Sequence, residues 1–356
     1  MRVVVAMSGG VDSSVAAALV SESGLETVGV SMQLYDQREG APGEGFGSCC
    51  TIDDLHDARR VARVLGIPHY IMNFEHQFEA RVVANFVGEY TRGRTPLPCT
   101  HCNSDLKFAT LLERARGIGS DAVATGHYAR VELDPGSHRY RLRRGVDRAR
   151  DQSYFLFSLT QDQLGRARFP VGDLTKPDVR EHARRLRLPV ADKPDSQEIC
   201  FVPDDDYARF IERRRPDAGA PGLIVDTAGR VLGRHQGVHR FTVGQRKGLR
   251  LSAREPLYVT ALRPESHQVV VGTATELEQD CLVASGVSWI AGEAPAGAVA
   301  ATVQIRHRHT PARATVTPLD DRRARVEFTE PQRAVAPGQA AVFYEGDEVL
   351  GGGWIE

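Results

Sequence analysis

Several things are scarce in this chain of 356 residues, and each scarcity narrows what the protein can be. There are only six cysteines, Cys49, Cys50, Cys99, Cys102, Cys200 and Cys281, too few for a disulfide scaffold at this length. Cysteines that share a motif therefore read as reactive or metal-binding. No apolar run approaches the ~20 residues that a membrane helix needs, so no membrane partner is expected. The first residues read as a strand, not as a basic region followed by an apolar one. A secretory leader is therefore not expected, and a cytoplasmic location is. Net charge is nearly absent, formally −1, which excludes an overall polycation but not a basic face. Internal repeats and low-complexity tracts are lacking, which excludes a solenoid. What remains, 41% apolar and 26% charged residues, is ordinary for a globular protein of two or three domains.

The most informative stretch is also defined by an absence. Val3 to Ala6 is a short apolar strand, and Val15 to Val20 reads as a buried helix. Between them lies Met7-Ser8-Gly9-Gly10-Val11-Asp12-Ser13-Ser14. A strand that turns on glycines into a helix presents free backbone N–H groups and the positive helix end at one place, which suits phosphate. Ser8, Ser13 and Ser14 add hydroxyls, and Asp12 is placed to hold Mg²⁺ or to cap the helix. The lysine of G-x-x-x-x-G-K-S/T is missing, and so is the spacing of G-x-G-x-x-G. The element reads as a phosphate cradle without a lysine. The string resembles the PP-loop of ATP pyrophosphatases.

Residues 1–130 alternate strand and helix, which predicts a parallel sheet covered on both faces, with ligands at the carboxyl ends of the strands. Strands are expected at 28–32, 69–73 and 121–125, and helices at 53–65, 78–90 and 105–115. Thr175 with Pro177 predicts a capped helix over 178–188. After 220 short strands separated by turns take over, which suggests a small barrel or sandwich. The fold class is α/β. The expected domains are a catalytic parallel-sheet domain over 1–205, a small central β-rich domain over 206–275 and a C-terminal β-barrel over 276–356.

A second chemical stretch is Thr95-Pro96-Leu97-Pro98-Cys99-Thr100-His101-Cys102-Asn103. The prolines predict an extended run, and Ser104-Asp105 a helix start, which puts Cys102 near a helix N-terminus where a thiolate is favoured. C-x-x-C admits a redox pair, half a metal site or a nucleophile. No second C-x-x-C is present, so Cys200 is the distant candidate partner. Arginines crowd 139–150, and Arg306, His307, Arg308, His309 and Arg313 form a second basic group. Such clusters suit a polyanion or simply a solvated surface.

Taken together these motifs resemble the tRNA-specific 2-thiouridylase family. The matching strings are A-M-S-G-G-V-D-S-S, then G-R-T-P-x-P-C-x-x-C-N with L-K-F, T-G-H-Y-A-R, D-Q-S-Y-F-L and F-P-V-G. D-S-Q-E-I-C-F-V, H-Q-G, V-G-Q-R-K-G-L, P-G-Q-A-A-V-F-Y and L-G-G-G-x-I-E follow, so the resemblance spans residues 3–356 in order. It implies ATP bound by Ala6, Met7, Ser8, Gly9, Gly10, Val11, Asp12 and Ser13, with Met32 and Gly126, and Mg²⁺ on the phosphates. It implies Cys200 as the persulfide carrier and Cys102 as the nucleophile, the two forming a disulfide after transfer. It implies tRNA contacts at His127, Arg150, Asp151, Gln152, Arg306, His307 and Gln339, the C-terminal barrel being a tRNA-binding domain. A sulfur-relay protein is the implied second partner, and a monomer the implied state. The expected reaction is adenylation of the C2 oxygen of the wobble uridine, then sulfur transfer.

Chemistry supports this division of labour. Adenylation turns a poor leaving group into a good one, and sulfur is a strong nucleophile at a modest pKa. The base must be turned out of its stack to react. One departure stands out. Many members of the family carry Asp where this chain has Cys99. Cys99 then either shuttles protons or joins Cys102 and Cys200 in holding a 4Fe–4S cluster with one open iron. Two other functions share parts of the pattern. An amide-forming PP-loop synthetase, of the argininosuccinate or GMP type, needs the cradle but not the cysteine pair. A non-catalytic RNA-binding protein needs the basic clusters but not the intact loop.

Overall fold

The computed structural model describes residues 1–35, 52–194, 199–202, 206–320 and 322–356. Cys49 and Cys50 lie outside the described residues. The chain runs through β1 (Arg2–Ala6), α1 (Val11–Glu22), β2 (Glu26–Gln33), α2 (Ile52–Leu65), β3 (His69–Asn73) and β4 (Ala122–Ala124). A hairpin of β5 (Ala129–Leu133) and β6 (Tyr140–Arg144) then precedes the two-residue strand β7 (Ala167–Arg168). The first sheet has the order β3-β2-β1-β4-β7, and every pairing in it is parallel.

Strand alternation explains the two layers. Val3 and Val5 join one core cluster with Val15, Ala16, Ala58 and Val61, while Val4 and Ala6 join the other with Phe78, Phe86, Leu106 and Leu111. A strand buried on both faces reads as a continuous apolar run, which is why β1 was legible. The sheet order turns back at β1, which has β2 on one side and β4 on the other. The crevice between the ends of β1 and β4 is the switch point where such sheets bind ligands.

The central four-stranded sheet has the order β10-β11-β8-β9, built from β8 (Gly222–Asp226), β9 (Val231–His235), β10 (Tyr258–Arg263) and β11 (Gln268–Gly272). The last six strands are β12 (Glu278–Trp289), β13 (Val299–Gln304), β14 (Ala312–Asp320), β15 (Arg323–Arg333), β16 (Ala340–Glu345) and β17 (Glu348–Ile355). β12 pairs with both β15 and β17, which closes them into a six-stranded barrel around Val303, Val316, Val326 and Phe343. The β5–β6 hairpin extends this barrel sheet through β17, with Val349 opposite Leu142. The sequence reading assigns no strands here and places these residues within the first domain, 1–205. The hairpin's pairing ties that domain to the barrel.

Two local expectations are corrected. The helix expected to begin near Ser104 begins at Pro98. It runs through Pro98–His101, a π-helical stretch Cys102–Thr110 and Leu111–Arg116. Proline in the first turn gives up no helical hydrogen bond, so it starts a helix here instead of prolonging an extended run. Asp12 does not cap α1. The cap position is Gly10, with no side-chain bond, and Asp12 lies in the first turn.

Candidate active site

The loop after β1 is held shut by its own serines. Ser13 Oγ accepts from the Ser8 N–H at 3.1 Å and donates to Gly10 O at 3.1 Å, while Ser14 Oγ donates to Gly10 O at 2.8 Å. Ser14 is fully buried, so its hydroxyl fixes the loop and is not offered outward. Ser8 is exposed, and Gly10 and Asp12 are half-buried. The first backbone N–H groups of α1 have no partner within the helix and point to the same opening.

Glycine is required at two positions. Gly9 has φ +75°, and a Cβ there would sit 2.2 Å from the Asp54 carbonyl oxygen. A Cβ on Gly126, just past β4, would sit 2.6 Å from the Ser13 nitrogen. The segment after β4 touches the first turn of α1 at this place, and Gly126 lets it do so. Met32 lies buried at the end of β2.

The lysine missing from the motif is supplied from far away. Lys176 Nζ donates to both oxygens of Asp12, at 2.7 and 2.9 Å, and the Tyr128 hydroxyl donates to Asp12 Oδ1 at 2.8 Å. Lys176 is carried by the helix Lys176–Arg185, which begins with the expected cap: Thr175 and Asp178 form a reciprocal capping box. Lys193 Nζ lies beneath the loop. It donates to Gly9 O at 3.2 Å and to Asp54 Oδ1 and Asp57 Oδ2, both at 2.6 Å. Burial alone would lower the Lys193 ammonium, but the Asp54 and Asp57 carboxylates more than offset it and hold it above its ordinary value. Lys176, Lys193, Tyr128 and the Asp54–Asp57 pair all escaped the sequence reading. The only local hint was that each lysine precedes a proline.

Cys99 and Cys102 lie in the first two turns of the helix that starts at Pro98, Cys99 exposed and Cys102 half-buried. Cys102 begins the π-helical stretch, where the i→i+5 pattern widens the backbone. Asn103 locks the next position, donating to Phe155 O at 3.2 Å and accepting from Lys107 Nζ at 2.9 Å. The approach to Cys99 is strapped to the barrel. Thr95 N–H donates to Pro337 O at 2.7 Å, Gln339 Nε2 donates to Thr95 O at 3.1 Å, and His101 stacks on Trp354 at 4.9 Å. Cys200 is half-buried. The next residue, Phe201, anchors it by packing edge-on against Phe78 and Phe86 at 5.4 and 5.1 Å. Cys102 and Cys200 pack against one and the same apolar cluster. Among the described residues no three His, Cys, Asp or Glu side chains form a group able to hold a metal ion.

The two arginine clusters differ in their partners. Arg139 pairs with Glu293 at 2.8 Å, Arg141 with Asp134 at 3.1 Å, Arg143 with Glu132 at 3.2 Å, and Arg148 with Asp347. Arg144 is bound to Asp151 at 2.9 Å and lies over the Tyr344 ring at 3.5 Å. Asp151 also accepts from the N–H groups of Gly145 and Ser153. Gln152 Oε1 accepts from the Tyr128 N–H at 3.1 Å. This segment therefore forms much of the seam between the first domain and the barrel, with Arg150 exposed beside it. The second cluster is open. Arg306 is exposed and donates to Arg333 O, and His307 is exposed beside Phe155 at 4.7 Å. Among the described residues Arg306, Arg308 and Arg313 form no ion pair. His127 is buried, its Nδ1 2.7 Å from Thr125 Oγ1. Burial, with Lys107 nearby, pushes its pKa well below the ordinary value and keeps it neutral.

Comparison with known proteins agrees with this architecture. Residues 1–204 match the tRNA methyl transferase HUP domain, 208–273 the tRNA methyl transferase PRC-barrel domain and 279–355 the aminomethyltransferase beta-barrel domain. The chain is 55% identical to a tRNA-specific 2-thiouridylase MnmA of Geotalea uraniireducens, over 100% of this chain and 95% of the relative. It is 55% identical to the protein of that name from Geobacter metallireducens, over 100% and 96%. It is 51% identical to that of Carboxydothermus hydrogenoformans, over 100% and 97%. With that identity sustained along its whole length, the chain belongs to the MnmA family of tRNA-specific 2-thiouridylases.

Proposed function

We propose that this chain uses ATP to activate the C2 oxygen of the wobble uridine in tRNA and replaces that oxygen with sulfur carried on Cys200. The observation that carries the reading is the placement of Cys102 and Cys200 on one apolar cluster, in the same domain as a phosphate cradle at the sheet's switch point. A methyl transfer would leave both the cradle and the second cysteine without a task. An amide-forming synthetase would leave the cysteines unused, and a passive RNA binder would have no need of the cradle.

In this proposal the N–H groups at the start of α1, with Ser8, hold the triphosphate, and Met32 and Gly126 border the nucleotide. Lys176 stands at the mouth of the loop and offsets the charge that develops as pyrophosphate leaves. Asp12 is already bonded to Lys176 and Tyr128, so it is poorly placed to take Mg²⁺ as well; Mg²⁺ would arrive on the nucleotide. The uridine C2 oxygen attacks the α-phosphorus, and the P–O bond to pyrophosphate breaks. The terminal sulfur of the Cys200 persulfide then attacks C2, and AMP leaves with its oxygen. The Cys102 thiolate attacks Cys200 Sγ, which breaks the S–S bond to the base. C2 keeps its sulfur, and a Cys102–Cys200 disulfide remains for a thiol reductant to reopen. A sulfur-relay protein reloads Cys200. Cys99 stands one helical turn before Cys102 and serves as the proton shuttle, so the route runs without a cluster.

Two assays test this. Asp12→Ala is expected to abolish tRNA-dependent pyrophosphate formation with the fold retained; full activity would remove Asp12 from the mechanism. Cys99→Asp is expected to thiolate tRNA in air without iron. Activity that appeared only after anaerobic reconstitution with iron and sulfide would overturn the cluster-free route.

A further inference from the structure

The central domain carries a basic loop to which no part of the mechanism assigns a role. It runs from Gly244 to Glu255, G-Q-R-K-G-L-R-L-S-A-R-E, with four cations and a single acid at its end. Arg246, Lys247, Arg250 and Arg254 are all exposed. Among the described residues none of the four forms an ion pair or a side-chain hydrogen bond. The β5–β6 hairpin, with a comparable density of arginine, pairs nearly all of it with carboxylates.

The loop is nonetheless firmly seated. Leu249 is buried in the core of the central sheet with Ile224, Val259 and Val271, and Leu251 packs on the same cluster. Gln245 closes the first turn, accepting from the Thr242 N–H at 3.1 Å and donating to Lys247 O at 2.9 Å. Gly244 and Gly248 hold φ +90° and +82°, and Arg250 takes a left-handed φ of 53°. The apolar side chains face in, and the cations are held outward on a fixed backbone, so less conformational entropy is lost on binding.

Its position relates it to the active site. Val243 packs with Ala336, and a Cβ on Gly244 would sit 2.5 Å from Ala334 Cβ. That same barrel turn, 333–339, accepts a hydrogen bond from Arg306 at the Arg333 carbonyl and straps Thr95 on the approach to Cys102. Three features thus converge on one turn: the unpaired loop cations, the unpaired Arg306 cluster and the strap to the cysteines.

We propose that the loop 244–255 is a phosphate-backbone contact for the tRNA, holding the RNA against the turn that presents Cys102. The inference rests on the tRNA reading above and adds the central domain to the RNA-binding surface. Unpaired cations at fixed spacing suit a chain of phosphates, because each contact releases condensed counterions.

The test uses the full-length protein and a tRNA substrate. The triple variant Arg246→Ala, Lys247→Ala, Arg250→Asn keeps a residue that tolerates the left-handed backbone at 250. Its tRNA affinity should fall on the order of tenfold at ~0.1 M salt, and the slope of log K against log salt should flatten by about two. Thermal unfolding and ATP binding should match the unaltered protein. The charge-keeping variant Arg246→Lys, Arg250→Lys should bind almost as the parent does. An unchanged affinity and slope in the triple variant overturns the loop contact, and so does a loss that the lysine variant shares. If the unaltered protein itself shows no salt-dependent tRNA binding, it is the tRNA reading that fails.

Discussion

The nucleotide cradle and the cysteine site are built in opposite ways. The side chains of the cradle are bonded to one another, Ser13 to Ser8 and Gly10, Asp12 to Lys176 and Tyr128, Lys193 to Asp54 and Asp57, while the first N–H groups of α1 are left to face the opening. The cysteine site has two separate halves. Cys102 rides on a π-helical turn strapped to the barrel, and Cys200 follows a different segment pinned by Phe201. Charge stabilisation works best from groups fixed in advance, because they need no reorganisation during the reaction. The proposed sulfur transfer needs the opposite, since in that route a persulfide must reach a base and a second thiol must then reach the persulfide. The difference predicts that the two half-reactions can be broken separately.

The largest effect is expected from the cradle. Lys176→Ala should lower tRNA-dependent pyrophosphate formation by ~10²–10³-fold, the range seen when one preorganised charge donor is lost, and thiolation should fall with it. Loss of thiolation alone would contradict the separation. The seam comes next. Arg144 has 14% of its side chain exposed and Asp151 5%, so Arg144→Met strands a buried carboxylate, at a cost of about 3–5 kcal/mol in denaturant unfolding. The strap should give a smaller and selective effect. Gln339→Ala removes the donor to Thr95 O and should slow thiolation several-fold with pyrophosphate formation within about twofold, a readout that would be equal for both steps if Gln339 only bound RNA.

The smallest effect is a pH dependence beneath the cradle. Burial would raise the Asp57 carboxyl, but Lys193 and Arg60 hold it below its usual 3.8. A carboxyl depressed by folding adds stability above its unfolded pKa and loses it as pH falls through the folded value. Asp57→Asn should therefore destabilise the protein by on the order of 1 kcal/mol at pH 7. The difference between the melting curves of parent and variant should shrink as pH falls below 3.8.

What the sequence revealed followed the range of the signal. Periodicity is local, so β1 to β4 of the first sheet and β13 to β16 of the barrel were legible, as were the Thr175 cap and the glycine turn, whereas the two-residue β7 and the closing strands β12 and β17 were not. Partners distant in sequence were not. Lys176 reaches Asp12 across 164 residues, and Lys193 reaches Gly9 across 184, so the cradle looked as if it had no lysine. The hairpin arginines read as a basic patch because two of their carboxylate partners, Asp347 and Glu293, belong to the barrel, and the pairing of Arg141 with Asp134 and of Arg143 with Glu132 depends on a hairpin that the sequence reading did not assign. The helix from Pro98 was missed because proline was read as a breaker where it is an initiator. Charge density in a sequence becomes surface potential only where the fold leaves it unpaired, as at Arg306 and in the loop after Gly244.

The most direct test of two separable half-reactions is a single variant measured twice. With Cys200→Ser and a tRNA substrate, pyrophosphate release and thiolation are followed in the same tube. The hydroxyl stays protonated where the thiol ionises, so sulfur has no carrier. Release of pyrophosphate should continue, still dependent on tRNA, with no 2-thiouridine formed. Thiolation at the parent's rate, or loss of pyrophosphate release in a protein whose melting curve is unchanged, would contradict the account.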